Sequence, residues 1–424
     1  MLDRVTVIIP TYNRPLELAR LLAFFSTTRA GNRFLILDSS AAPHREENTR
    51  TIERHRLDRR FRLAIDVREF DPSLPPYEKF ALGLRSVETP YCVFCADDDL
   101  LFLPAVGDCV THLETHKDFA IAHGYYFNFQ EAEHTRLSYV QYVGRSIDLD
   151  DPIARLRQFM ADYEATFYAV HRTEQLAYAM DVARDLESTL FREVTAAAIT
   201  IAQGKAARIP RFYYGRNTAP SLSYDNWHPH QILASDADLL FRDYARYRSA
   251  VLNEIERAHP HPAGHARLSS MFDHIHLKYL RQTLDPRVME FILDEVFKGT
   301  PPKSIVDGVW QRWVSNVERA RHPIRPYPPQ PGAKAKRAAR RKLFTQVFDR
   351  IGIVPGPVRR LFYPYADYLL RSNTAEGRPR HYLVRDEFLF PDDRPDFSVG
   401  EEGVAEIVSL MNNFEPMDVF RTAR

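Results

Sequence analysis

Three consecutive aspartates, Asp97-Asp98-Asp99, stand directly after the apolar run Tyr91-Cys92-Val93-Phe94-Cys95-Ala96. In an extended chain, residues two apart share a face, so Asp97 and Asp99 are expected to converge on one ligand while Asp98 turns away. Their oxygens are hard donors, and two carboxylates with diphosphate oxygens and water make a shell suited to Mn2+ or Mg2+. Such a metal neutralises charge developing on a departing diphosphate. Two more polar clusters end apolar runs: Pro10-Thr11-Tyr12-Asn13-Arg14 after Val5–Ile9, and Asp38-Ser39-Ser40 after Phe34–Leu37. No His/Cys spacing resembles a zinc site.

These clusters carry chemistry only if the chain brings them together. Over the first 215 residues, strand and helix signals alternate, which predicts a mostly parallel sheet with helices on its faces. Leu18, Leu21, Leu22 and Phe25 fall at helical spacing, with Asn13 expected as N-cap and Pro15 near the first turn. A polar helix is expected through 44–57, a strand near Leu63–Val67, and a helix carrying Tyr77, Phe80, Ala81 and Leu84. Pro104 opens another helix, Phe119–Phe129 and Thr166–Val170 read as strands, helices fill 173–202 up to Gly204, and a last strand covers Arg208–Tyr214. In such a sheet, ligands bind beyond the carboxyl ends of the strands, where all three polar clusters would sit. The helix opening at Pro15 would aim unpaired N–H groups at an anion there.

With its order of motifs, Val7-Ile8-Ile9-Pro10-Thr11-Tyr12-Asn13-Arg14, then Leu37-Asp38-Ser39-Ser40, then Asp97-Asp98-Asp99, the chain resembles the family-2-like glycosyltransferases of GT-A fold over residues 4–216. The aspartates match that family's DXD motif. The resemblance implies a GT-A-type domain that binds a nucleotide-sugar, a UDP-sugar by preference, and a glycan or lipid-linked acceptor. It implies that Pro10, Thr11 and Tyr12 line the base and ribose and Asp38 the base edge. Arg14 and Asp98 belong to the same donor site, Asp97 lies on the ribose side, and Asp99 binds the metal. Lys79 either approaches the nucleotide or is an exposed helix lysine.

An inverting transferase needs a general base for the acceptor hydroxyl. The family places an acidic residue about a dozen positions before a Gly-containing turn and strand, and Glu193 stands eleven before Gly204. Arg192 replaces one member of the usual acidic pair, and Asp185 and Glu187 compete for the role. His123-Gly124 is read as a strand end shaping the acceptor pocket or as structural, and His171 and Arg172 as lying near the same mouth. Arg216 is read as a fork for the diphosphate. His228 and His230 lie where some relatives carry a metal-binding histidine.

At 424 residues, 45% hydrophobic and 27% charged, the chain is globular and long enough for a second unit. The expected organisation is a catalytic domain over 1–220, a helical extension over 221–322 and a basic helical region over 323–424, after a proline-rich break around Pro323–Pro331. A net charge of +1 rules out a blanket polyanion binder, and no nucleic-acid module is present. Cys92, Cys95 and Cys109 are too few for a disulfide framework, and Cys92 and Cys95 face opposite ways on a strand, so buried packing is expected. The N-terminus lacks the pattern of a signal peptide, so a cytoplasmic protein is expected. Lys334, Lys336, Arg337, Arg340, Arg341 and Lys342, followed by Leu343, Phe344, Val347 and Phe348, fit either an anionic membrane surface at the inner face of the cell membrane or packing against protein. A nucleotidyltransferase would want a glycine-rich loop after the first strand, which is absent. A non-catalytic nucleotide-sugar-binding or scaffold protein on the same fold is the remaining alternative.

Overall fold

The computed structural model describes residues 2–27, 32–57, 63–130, 136–142, 144–161, 163–217, 236–258 and 264–283, and positions 232, 295, 298–301 and 304. The proline-rich segment 323–331, the basic residues of 334–342, and His228 and His230 lie outside the described residues.

The apolar runs of the first hundred residues become β1 (Val5–Thr11), β2 (Arg33–Asp38), β3 (Ala64–Glu69) and β4 (Tyr91–Phe94), paired in parallel in the order β3-β2-β1-β4. β1, β2 and β4 are buried almost throughout, as strands covered on both faces must be. The crossovers are α1 (Pro15–Thr27), α2 (Ala42–Leu57) and α3 (Pro76–Leu84). The chain steps outward from β1 to β3 and then returns to β4 on the other side. Right-handed crossovers therefore place α1 and α2 on one face and α3 on the other. That reversal opens a crevice at the carboxyl ends of β1 and β4.

The later elements are β5 (Leu100–Leu101), α4 (Leu103–Thr115), β6 (Phe119–Gln130), β7 (Arg136–Gln141), α5 (Pro152–Ala161), β8 (Val170–Arg172), α6 (Thr173–Ala183), α7 (Thr189–Gln203) and β9 (Lys205–Asn217). They extend the sheet as β4-β8-β6-β9-β5, with β7 on β6. β8 is antiparallel to β4 and β6, β9 is parallel to β6, and β5 and β7 are antiparallel to their neighbours. Six of the nine described strands (β1, β2, β3, β4, β6 and β9) thus run one way, so the sheet is mixed but mostly of one direction. The α/β architecture expected from the sequence is present.

Two local expectations change. The strand expected over Thr166–Val170 begins only at Val170: Thr166–Tyr168 forms a short 3-10 turn, in which the Thr166 carbonyl accepts from Ala169 N at 3.0 Å and from the His171 ring at 2.9 Å. Asn13 is not the N-cap of α1. Its backbone is left-handed, with φ +56°, a conformation that Asn tolerates better than most residues. Gly204 stops α7 in extended backbone, and a Cβ there would lie 2.9 Å from Ala120 N on β6. Gly204 thus ends the helix where the sequence places its stop, and close packing of α7's end on the sheet is what asks for glycine.

One core carries the site. Ile8, Leu35, Leu37 and Phe94 from the sheet join α3, α5, α6 and α7 and two further helices, α8 (Ala237–Ala258) and α9 (His265–Thr283). Tyr247, Val251 and Ile255 of α8 and Leu268 of α9 are fully buried in it. Side chains of this size stabilise by roughly 1.5–3 kcal/mol each when buried, so α8 and α9 brace α7, the helix that carries Glu193. Cys92, Cys95 and Cys109 are unpaired and buried, as the strand reading of the first two requires. Among the described residues no helix is long and apolar enough to cross a membrane.

Candidate active site

The ends of β1 and β2 are in register, Thr11 opposite Asp38. The turns leaving them are stitched together by side chains. Asn13 N donates to Ser40 Oγ at 2.9 Å, and Asn13 Oδ1 accepts from Ala41 N at 2.8 Å. Asp38 is 2% exposed, and its two oxygens accept from Ser40 N at 2.7 Å and Asn48 Nδ2 at 2.8 Å. Its carboxylate therefore shapes the β2–α2 turn from inside. Lys79 is not an exposed helix lysine: it is 4% exposed, and its Nζ donates to the Thr11 carbonyl at 3.2 Å and Ser39 Oγ at 2.9 Å. Burial pulls Lys79 down to about 8, while Asp97 and Asp38 oppose the shift. Tyr12, by contrast, is 45% exposed at the mouth of the crevice.

The aspartates do not prolong β4. They form a turn in which Asp99 N donates to the Ala96 carbonyl at 3.2 Å, so the extended spacing expected to bring Asp97 and Asp99 onto one face is absent. Asp97 accepts from Thr11 Oγ1 at 2.8 Å and from Arg14 Nη1 at 3.2 Å, and the same Arg14 nitrogen donates to Asp98 at 2.9 Å. Asp99 instead accepts from the Tyr214 hydroxyl at 2.8 Å and from Asn217 N at 2.7 Å. Asp97 and Asp98 thus share a cation from β1's end, while Asp99 is tied to β9's end. Burial, followed by the charge of Asp98, pushes both Asp97 and Asp99 up to about 7. Arg14 pulls the first back and Asn217 and Arg216 the second, without cancelling the shift.

Arg216, two positions after Tyr214, completes the site. Burial works against its charge, yet it is held above its ordinary value by Tyr142, Tyr168, Asp99 and Glu193. Glu193 stands on α7, whose N-terminus is capped by Ser188, and its Oε1 accepts from the Tyr163 hydroxyl at 2.9 Å. Asp99 and Glu193 are thus both within electrostatic reach of Arg216. The rival Glu187 does not join them. Glu187 pairs with Arg242 and Arg246 of α8, and Arg192 folds back onto the Leu186 carbonyl at 2.6 Å.

Other expected residues are elsewhere. Because β8 is antiparallel, Arg172 pairs with Tyr91 at the amino end of β4, away from the crevice, and its guanidinium clamps the carbonyls of Phe119 and Leu113. His171 is 1% exposed between β4 and β6. His123 is buried against Arg208, which also pairs with Glu164, so it is structural. The reversed strand brings Tyr168, just before β8, to the mouth in their place. Tyr142, Tyr163, Tyr168 and Tyr214 have no spacing that betrays them, since three separate segments deliver them.

The donor set fits Mn2+ or Mg2+. Three carboxylates meet in one turn, with Arg14 bonded to two of them, and their oxygens are hard ligands. Among the described residues no group of three or more His, Cys, Asp or Glu side chains is placed to hold a metal. The protein's share is then one or two carboxylates, the usual number where substrate phosphates supply the rest.

No protein-family profile matches the chain, and no curated protein matches it. Among solved structures, the chain is similar to S. aureus TarS 1-349 in complex with UDP-GlcNAc, at 13% identity and TM-score 0.38, over 70% of this chain and 92% of that one. It is also similar to the mannosyltransferase PcManGT from Pyrobaculum calidifontis in complex with GDP-Man and Mn2+, at 16% identity and TM-score 0.37, over 74% and 87%.

Proposed function

We propose that the chain is a glycosyltransferase that moves a sugar from a nucleoside diphosphate donor to a hydroxyl acceptor. One observation carries the reading: the acidic turn lies beside the crevice where the strand order reverses, with Thr11 and Arg14 from the end of β1 bonded to Asp97, Arg14 also bonded to Asp98, and Tyr214 from β9 bonded to Asp99. Glycosyl transfer with a diphosphate leaving group uses such a set, a cation beside carboxylates that can hold a metal.

In this mechanism the exposed Tyr12 ring offers a face to the nucleotide base, beside Pro10 and Thr11. Lys79 and Asn13 hold the floor of that pocket through Ser39, Ser40 and Ala41. Arg14 and Arg216 meet the diphosphate, for which a guanidinium is a matched fork. A Mn2+ or Mg2+ ion held by Asp99 supplies, when bound, further positive charge beside the leaving group. Glu193, oriented by Tyr163, takes the acceptor proton as the acceptor oxygen bonds to the anomeric carbon. The bond from that carbon to the diphosphate breaks, and its electron pair leaves with the diphosphate. A single displacement of this kind inverts the anomeric centre. A UDP-sugar is the first donor to test.

Calorimetric titration of nucleoside diphosphates with and without Mn2+, on wild type and Asp99→Ala, tests the reading. Metal-dependent binding of one nucleotide, lost in the variant, is the expected result. If wild type binds none of them, the reading fails and a scaffold role replaces it.

A further inference from the structure

Asp99 is held by a strand that the sequence does not mark as part of the acidic motif. Tyr214 on β9 is fully buried, and its hydroxyl meets two groups of the turn. Ala96 N donates to it at 3.1 Å, and it lies 2.8 Å from Asp99 Oδ2. An amide can only donate, so the hydroxyl accepts there and spends its own proton on the carboxylate. Asn217 N takes the other oxygen at 2.7 Å.

The ring cannot easily tilt away. It is stacked between Tyr126 at 5.1 Å and Tyr168 at 4.6 Å, centroid to centroid. Downstream of the aspartates, Leu100 and Leu101 pair with Gly215 and Tyr214, and Phe102 N donates to the Tyr213 carbonyl at 3.0 Å. The turn is therefore clamped to β9 on both sides of Asp99: through the Tyr214 hydroxyl at Ala96, and through backbone pairing from Leu100 on.

We infer that Tyr214 is a positioning residue for Asp99, fixing the carboxylate so that its remaining lone pairs face a metal-bound diphosphate. The inference rests on the nucleotide-sugar reading above. A carboxylate offers about four lone-pair sites, and Tyr214 and Asn217 use one on each oxygen, which leaves a place on each for a metal. Groups that hydrogen-bond to a metal-ligating carboxylate set its orientation, and their loss commonly lowers metal affinity about 10–100-fold.

Tyr214→Phe removes the hydroxyl while keeping the stacked ring and the β5–β9 backbone pairs. Free Mn2+ would be followed by electron paramagnetic resonance as it is titrated into protein with saturating UDP, for wild type, Tyr214→Phe and Asp99→Ala. UDP affinity would be measured in parallel without metal. We expect Tyr214→Phe to weaken Mn2+ binding about 10–100-fold and to leave metal-free UDP binding unchanged. Mn2+ binding equal to that of wild type overturns the inference and leaves the donor reading standing. Equal losses with and without Mn2+, or a variant that does not fold, also overturn it, since Tyr214 is then only structural. Wild type that binds no Mn2+ in the presence of UDP overturns both.

Discussion

Glu193 shows what one side chain can and cannot announce. Its distance from Gly204 pointed to it, yet a glutamate on a helix is ordinarily a solvated charge. The structure gives it a hydrogen bond from Tyr163 at 2.9 Å and a place in the field around Arg216. Neither contact is local in sequence, so no spacing rule reaches them. If Glu193 is the base, Glu193→Gln removes the proton acceptor but keeps the size and the bond from Tyr163. Turnover is then expected to fall about 10²–10⁴-fold, the usual contribution of general base catalysis, with the donor KM little changed. Steady-state kinetics on the purified variant would show it, and near wild-type kcat would remove Glu193 from the mechanism. The aspartates were easier to read as a group than as individuals. Their position after a buried strand was legible, but the turn that parts Asp97 from Asp99 depends on Tyr214 and Asn217, which arrive more than a hundred residues later.

At the level of elements, the first half of the sheet was readable because each parallel strand is an apolar run followed by its own crossover helix. The second half was not. β8 has three residues, and nothing in Val170-His171-Arg172 says that it runs against its neighbours. Reading it as parallel puts His171 and Arg172 at the wrong edge and hides Tyr168. The same region hides a buried ion pair. Arg208 of β9 pairs with Glu164, donates from Nε to the Gly144 carbonyl at 3.0 Å and from Nη1 to the Gly124 carbonyl, while Glu164 accepts from Gly144 N at 3.2 Å. Their side chains are 6% and 12% exposed. The pair fastens the segment next to Tyr163 onto the sheet. Removing one partner of such a pair strands the other charge, so Glu164→Gln is expected to cost about 3–5 kcal/mol. Urea unfolding would measure it. The double variant Glu164→Gln/Arg208→Met should regain part of the loss, and a single-variant cost below about 1 kcal/mol would mean that the pair behaves like an exposed one.

For the molecule as a whole, buried titratable groups make stability a function of pH. His171 and His276 are each 1% exposed, and burial pulls them down to about 4 and about 3; His123, 4% exposed, is pulled well below its ordinary value by burial and by Arg208. Each stays neutral in the fold while the unfolded chain takes up a proton below about 6.5. Between those values the unfolded state binds more protons, so stability is fully present above pH ~6.5 and is lost as the pH falls toward the folded value. Asp97 and Asp99 act in the opposite sense. Raised to about 7, they bind protons in the fold where the unfolded chain has released them, so their contribution weakens as pH rises toward 7. The overall profile mixes both signs, and a single histidine is isolated only by difference. His171→Gln can keep a donor for the Thr166 carbonyl, which the ring now meets at 2.9 Å, while removing the titration. At 1.36 kcal/mol per pKa unit, wild type should lose about 2 kcal/mol relative to this variant between pH 7.5 and pH 5. Urea unfolding of both proteins across that range would test this, and parallel stability curves would show that His171 is not the buried neutral group that the packing of β8 between β4 and β6 makes it.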